Sequence, residues 1–305
     1  MDPSPCQTPD RTSLPSHASK ACTQEKRDAV REMVGLVTDS PFDPGTPPLG
    51  VADNDHLLAD WSATVAGTLL MRVRDRGLEG KVLKDTGDRE SHEFLMRLLA
   101  QHRPDDAVLS EEGPDRTPDR DRLKAKRVWI IDPLDGTREF SEPPRDDWAV
   151  HVALWENGDL VAGAVAQPGL GTTFSTGEPP VVPPRTSDKP RIAVSRTRPP
   201  AFVEALAEEL GAELVPMGSA GAKVISVVRD VSDAYVHAGG QYEWDSAAPV
   251  AVARAAGLHA SRADGAILEY NQEDVLLPDL VVCRPELAEQ ITDFVKRYWA
   301  ESPPA

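Results

Sequence analysis

An apolar, β-branched run that breaks into two carboxylates constrains this chain more than any other feature: Val128-Trp129-Ile130-Ile131-Asp132-Pro133-Leu134-Asp135-Gly136-Thr137. It reads as a buried strand that stops at Asp132 and holds both acids in a fixed turn at a sheet edge. Like charges so close repel strongly unless a cation neutralises them. A structural Asx-turn needs only one carboxylate, and an apolar strand rarely ends in two. The amides after Gly136 can face an anion where a turn or helix begins. Hard oxygen ligands beside an anion cradle point to Mg²⁺-dependent phosphate chemistry.

Charge narrows the partners. The 305 residues carry 33 basic and 50 acidic side chains, a formal net charge of −17. Nucleic acid and anionic membrane both need a basic face, so neither is an expected partner. A small phosphate ester stays open, because bound divalent ions reverse the local field. No apolar run approaches the roughly 20 residues that span a bilayer, and the N-terminus lacks a secretory apolar core. Cys6, Cys22 and Cys283 are an odd number with no CxxC spacing, which argues against a disulfide framework or zinc site. A cytoplasmic location is expected.

Residues 1–53, rich in Pro, Ser, Thr, Asp and Gly, read as a disordered tail with one short helical stretch around 24–37. Asp53-Asn54 caps a long amphipathic helix that stops near Gly77. A second helix begins at Asp88 and buries Phe94, Leu95, Leu98 and Leu99. A strand over 106–109 delivers Ser110-Glu111-Glu112-Gly113. A hairpin turns at Glu156-Asn157-Gly158-Asp159, and a further strand covers 172–175. Residues 178–190 form a Pro-rich linker. Beyond it, strands at 191–195, 213–216, 234–237 and 280–283 alternate with helices at 201–210 and from Ser219, Asp245 and Pro285. The alternation predicts an α/β fold, an α+β half over 54–180 and an α/β half over 190–301, with a cleft between them. Four acids, Glu111, Asp132, Asp135 and Asp245, stand at element ends, where α/β proteins place ligands. Taken singly, Asp88 and Asp245 are equally ordinary N-caps, and Glu111-Glu112 a solvated turn.

Together the segments Ser110-Glu111-Glu112-Gly113, Asp132-Pro133-Leu134-Asp135-Gly136-Thr137 and Trp244-Asp245-Ser246-Ala247-Ala248 resemble the three boxes of the inositol monophosphatase superfamily, in order and spacing, over roughly residues 54–300. The resemblance implies a layered αβαβα sandwich of the inositol monophosphatase and fructose bisphosphatase type, lithium sensitivity, and two or three Mg²⁺ per site. Glu111, Asp132 and the Leu134 carbonyl would hold one ion, and Asp132, Asp135 and Asp245 a second. A third would use Glu111 and waters. Asp135, Gly136 and Thr137 would meet the phosphate, and Thr137, hydrogen-bonded to Asp88, would orient the attacking water. Asp85 competes with Asp88 for that role, as Lys81 does with Lys84 for the loop lysine.

Within the superfamily the chain is most similar to the 3′(2′),5′-bisphosphate nucleotidases of the CysQ type, in their actinobacterial form. The segments Ser195-Arg196-Thr197-Arg198-Pro199, Met217 to Lys223, and His237 to Asp245 carry that likeness. It implies a nucleotide pocket of Arg196, Arg198, Gly218, Ser219, Lys223 and His237, and hydrolysis of the 3′-phosphate of adenosine 3′,5′-bisphosphate or its 5′-phosphosulfate analogue, in sulfur assimilation. A histidine usual near Arg198 is missing here, and Pro249 replaces a usual glycine. Tyr242 and Trp244 fit either an adenine stack or the core. Three alternatives stay open. One is the same metal chemistry on an inositol monophosphate or fructose 1,6-bisphosphate. Another is a haloacid-dehalogenase-type phosphatase, whose single residue between the aspartates contrasts with Pro133 and Leu134 here. The last is a non-catalytic metal- or nucleotide-binding module. The partner expected is a small phosphorylated nucleotide, and a homodimer is left open.

Overall fold

Asn54 starts the first helix as its spacing predicts: its side chain accepts from the amides of His56 and Leu57, and α1 runs over Asp55–Arg74. The computed structural model describes residues 42–113, 122–197 and 199–302. The tail and its short helix as far as residue 41, and Arg198, lie outside the described residues. None of the described helices is long and apolar enough to cross a membrane.

Among the described residues there are two five-stranded mixed sheets. The first runs β1 (Ala107–Ser110), β2 (Arg127–Asp135), β3 (Ala149–Glu156), β4 (Asp159–Gln167) and β5 (Thr172–Ser175), parallel between β1 and β2 and antiparallel elsewhere. The predicted hairpin turns on Asn157 and Gly158, both at positive φ, as an Asn-Gly pair favours. The second sheet has the order β7 (Glu213–Met217), β6 (Arg191–Ser195), β8 (Ala234–Tyr242), β10 (Leu276–Cys283), β9 (His259–Ser261). It is parallel where β6 meets β7 and β8 and antiparallel elsewhere.

Helices complete the layers. The helices α1 and α2 (Gly80–His102) pack on the first sheet, the short α3 (Thr137–Phe140) follows β2, α5 (Ala220–Val228) and α6 (Glu243–Ala255) lie between the sheets, and α4 (Ala201–Leu210) and α7 (Ala288–Glu301) cover the second sheet's far face. This is the expected αβαβα order. A helix apolar all round belongs between layers, and α6 is that helix: Trp244, Ala247, Ala248, Val250 and Val252 are all buried.

Several boundaries differ from expectation. The second helix starts at Gly80, so Asp88 is inside it and not its cap. Glu79 makes no side-chain cap bond, and few residues before Ser91 are buried, so neither capping nor periodicity marks the start. Gly87 sits there because a Cβ would lie 2.7 Å from the Phe140 ring and 2.9 Å from Leu134. Helix α6 starts at Glu243, so Asp245 occupies its first turn rather than the cap. Strand β8 continues past His237 to Tyr242 because β10, itself starting four residues before its predicted position, pairs with it from Leu276 onward. Long-range pairing leaves little local trace.

One buried ion cluster ties the linker end of the second sheet together. Asp233, with no exposed surface, accepts from Arg191 and Arg284, and Asp230 joins both arginines. Burial opposes the charge on Asp233, yet the two guanidinium groups hold its pKa below the ordinary value. A carboxylate with a depressed folded pKa stabilises above the unfolded value and loses that contribution as pH falls. Asp233→Asn is therefore expected to cost about 3 kcal/mol or more at neutral pH, and to flatten the loss of stability below about pH 4. Urea titrations of both proteins at pH 7 and pH 3 check this; an unchanged midpoint at pH 7 would contradict it.

Candidate active site

The strand carrying the acids does not stop at Asp132. It continues to Asp135, pairing Asp132 with His151 and Asp135 with Ala149, so three steps of β2 are matched by two of β3. Residues three apart on a regular strand face opposite ways. The extra residue of this bulge turns Asp135 back to the side of Asp132. Pro133, which cannot donate to a ladder, falls inside the bulge where it is tolerated.

Helix α2 reads this bulge with one face. Ser91 donates to the Pro133 carbonyl at 2.7 Å, and Thr137 Oγ1 shares its hydrogen between Asp88 Oδ1 and the Leu134 carbonyl, each at 3.2 Å. Asp85 is exposed and paired with Lys81, whereas Asp88 is the partner of Thr137; Lys81 and Lys84 both lie inside α2, and the charge of Lys84 acts to lower Asp88. From the other side, Asp245 accepts the Tyr242 amide at 2.6 Å, which aims its carboxylate back along the helix start. Ligand atoms of Asp132, Asp135 and Asp245 lie within 4.8 Å of one another.

Burial and mutual repulsion act on the whole group. Burial first, then Glu111, Asp135 and Asp245, raises Asp132 well above its ordinary value. Burial also raises Glu111, Asp245 and Asp88 each to about 7, with neighbouring carboxylates adding to it. Asp135 differs. Burial opposes its charge too, but His151, Ser219 and the Gly221 amide hold it below the ordinary value. Asp132 Oδ1 accepts the Leu134 amide, whereas its buried Oδ2 has no hydrogen-bond partner among the described residues. A dry, partnerless carboxylate oxygen among other carboxylates is costly. A hard divalent cation removes both costs, and this donor set fits one.

The C-terminal half supplies donors through the turn that opens α5. Ser219 Oγ and the Gly221 amide both donate to Asp135 Oδ2, the amide at 2.6 Å, and the Ala220 amide reaches Oδ1 at 3.2 Å. The Gly218 amide donates to Asp147 at 2.6 Å. Lys223 is buried, and its ammonium donates to the carbonyls of Gly218 and Ser219, so it braces the turn instead of lining an opening. Arg196 pairs with Glu139 and Glu142. His237 is bonded to the Gly239 carbonyl and pushed down to about 4 by burial and by Lys223. Glu111, Asp132, Asp135, Asp245, Thr137 and Asp88 thus converge, while the predicted nucleotide residues divide into Gly218 and Ser219 at the turn, Lys223 inside it, and Arg196 and His237 around it.

Sequence reasoning passed over His151, which is fully buried on β3 with Nδ1 3.0 Å from the Trp244 carbonyl and Nε2 3.2 Å from Asp135 Oδ2. It also passed over Asp147 and Gly221. The available signal was a lone histidine inside an otherwise apolar strand.

Stability tests the cluster directly. Groups whose folded pKa exceeds the unfolded one hold extra protons when folded, so stability falls as pH rises between the two values. In chelator, stability is expected to fall from about pH 4 to about pH 7. A divalent ion at 100 times its Kd should then restore about 2.7 kcal/mol at pH 7, and Asp132→Asn should shrink both effects. Stability that is flat or rising through this window would contradict the reading.

The chain was compared with known proteins. The model of the inositol monophosphatase family matches residues 62–300. A Mycobacterium bovis protein named 3′-phosphoadenosine 5′-phosphate phosphatase is 50% identical over 77% of this chain and 90% of its own length. The Mycobacterium leprae protein of the same name is 47% identical over 80% and 94%. Among solved structures, CysQ from Bacteroides thetaiotaomicron superposes with a TM-score of 0.66 at 25% identity, covering 74% of this chain and 96% of that one. Inositol monophosphatase II from Staphylococcus aureus gives 0.66 at 20% identity, covering 78% and 94%, a likeness of fold. With its acid boxes assembled on the family's fold and the family match spanning most of its length, this chain belongs to the inositol monophosphatase family.

Proposed function

We propose that this protein is a Mg²⁺-dependent phosphomonoesterase that removes the 3′-phosphate of adenosine 3′,5′-bisphosphate to give AMP, and that it also accepts the 5′-phosphosulfate analogue. The observation that carries the chemistry is the partnerless Asp132 oxygen within the three-carboxylate cluster. The near-full-length identity to relatives named for 3′-phosphoadenosine 5′-phosphate supports the substrate.

The residues have distinct tasks. Glu111, Asp132 and the Leu134 carbonyl would hold one Mg²⁺, and Asp132, Asp135 and Asp245 another; a bound pair supplies Lewis-acid stabilisation of an in-line displacement at phosphorus. Thr137 gives its hydroxyl hydrogen to Asp88, or shares it with Leu134, which leaves an oxygen lone pair to accept from the attacking water. The water is thereby aimed with its own lone pair free. Gly136 and Thr137 would meet the phosphate through their amides, where backbone dipoles are fixed before substrate arrives.

The distal phosphate needs its own cations. Arg196 is available at the cost of its pairs with Glu139 and Glu142, and an arginine fork suits a phosphate better than a monodentate carboxylate contact. Gly218 and Ser219 border the same region.

Phosphate release from adenosine 3′,5′-bisphosphate, inositol monophosphate and fructose 1,6-bisphosphate, with Mg²⁺ and with chelator, tests the proposal. The expected outcome is Mg²⁺-dependent turnover with kcat/KM for the nucleotide at least about tenfold above either sugar ester, equivalent to about 1.4 kcal/mol of transition-state preference. Turnover in chelator, or a preference for a sugar ester, would overturn it. Thr137→Val is expected to lower kcat about 10²-fold or more with little change in KM; steady-state kinetics on the nucleotide check it.

A further inference from the structure

We propose that His151 is a positioning residue that ties the Asp135 carboxylate to the backbone beside Asp245 and so sets the separation of the acids from the two halves. The proposal rests on the metal-site reading above and deepens it.

The geometry is specific. His151 stands on β3 in register with Asp132, and its ring is fully buried. A carbonyl oxygen only accepts, so Nδ1 carries the hydrogen that bridges 3.0 Å to the Trp244 carbonyl. Trp244 precedes Asp245 in the first turn of α6. The opposite edge of the ring puts Nε2 3.2 Å from Asp135 Oδ2, within ion-pair reach though off the line of a well-aligned hydrogen bond. One rigid imidazole therefore spans the elements that carry two of the three clustered acids. Flexible side chains could not hold that span with the same precision.

The surroundings enforce the span. Asp135 Oδ2 also receives Ser219 Oγ and the Gly221 amide, whereas among the described residues Oδ1 receives only the Ala220 amide. The protein thus occupies one oxygen and leaves the other with accepting capacity. Helix α5 closes on the ring so tightly that a Cβ at Gly221 would stand 2.0 Å from Nε2 and 3.0 Å from Asp135 Oδ2. A histidine kept only to fill a strand core needs one polar partner; this one has a different acid-bearing element at each edge. Partners that orient ligating side chains typically change metal affinity by 10–100-fold when removed.

Amide isosteres separate the two ends of the ring. Asparagine places its NH₂ near the Nδ1 position and reaches Trp244, glutamine places its own near Nε2 and reaches Asp135, and phenylalanine reaches neither. Mn²⁺ affinity of the full chain, read from the spin-resonance signal of the free ion, is to be measured beside the unfolding midpoint in chelator. H151F is expected to weaken Mn²⁺ binding about 10–100-fold, with H151Q recovering more of the loss than H151N and the chelated midpoints of H151Q and H151N alike. Wild-type protein that does not bind Mn²⁺ would sink the metal reading and this proposal together. Wild-type binding matched by H151F would overturn this proposal alone, as would equal affinities in H151Q and H151N should H151F fail to fold.

Discussion

Repulsion among buried carboxylates is the constraint around which the molecule is arranged. Asp132, Asp135 and Asp245 converge within 4.8 Å, with Glu111 and Asp88 adding charge close by. Nothing in hydrophobic packing favours that convergence. It survives because the surrounding elements are each committed elsewhere: β2 to both neighbours in its sheet, α6 to the apolar interior between the sheets, and α2 to the bulge it braces through Ser91 and Thr137. The core fixes the frame, and the frame holds the acids against their own field.

The site then divides its labour unevenly among similar groups. Asp135 is kept ionised by protein donors, whereas Asp132, with a bare oxygen, has none to spare. Such divergence between neighbouring carboxylates is what lets chemically identical side chains take different roles. Thr137 stands at the border of this region, its hydroxyl aimed by Asp88 from the helix below. The C-terminal half adds the Gly218–Gly221 turn, whose amides and carbonyls are fastened by Asp147 and Lys223.

Much of this was legible in the residues. The Asn157-Gly158 turn, the strand at 172–175, the helix over 201–210 and the acid boxes follow from local chemistry, because turn propensity, periodicity and clustered charge are all short-range. The remainder was set at long range. Helix α2 begins eight residues before Asp88, and its Gly87 packs on Phe140 and Leu134, a contact no local pattern announces. The bulge after Asp132 depends on the register with β3, and His151 acquires meaning only once that register puts it opposite Asp132. The nucleotidase resemblance implies Lys223 in the nucleotide pocket, and its ammonium donates to two carbonyls of its own turn.

Anomalous diffraction from a crystal grown with Mn²⁺, which takes the same hard-oxygen sites as Mg²⁺, tests the central claim most directly. A strong anomalous peak bounded by the carboxylates of Asp132, Asp135 and Asp245 is the result expected. Fully ordered side chains with no peak between them, or Mn²⁺ bound only elsewhere on this acidic surface, would contradict it.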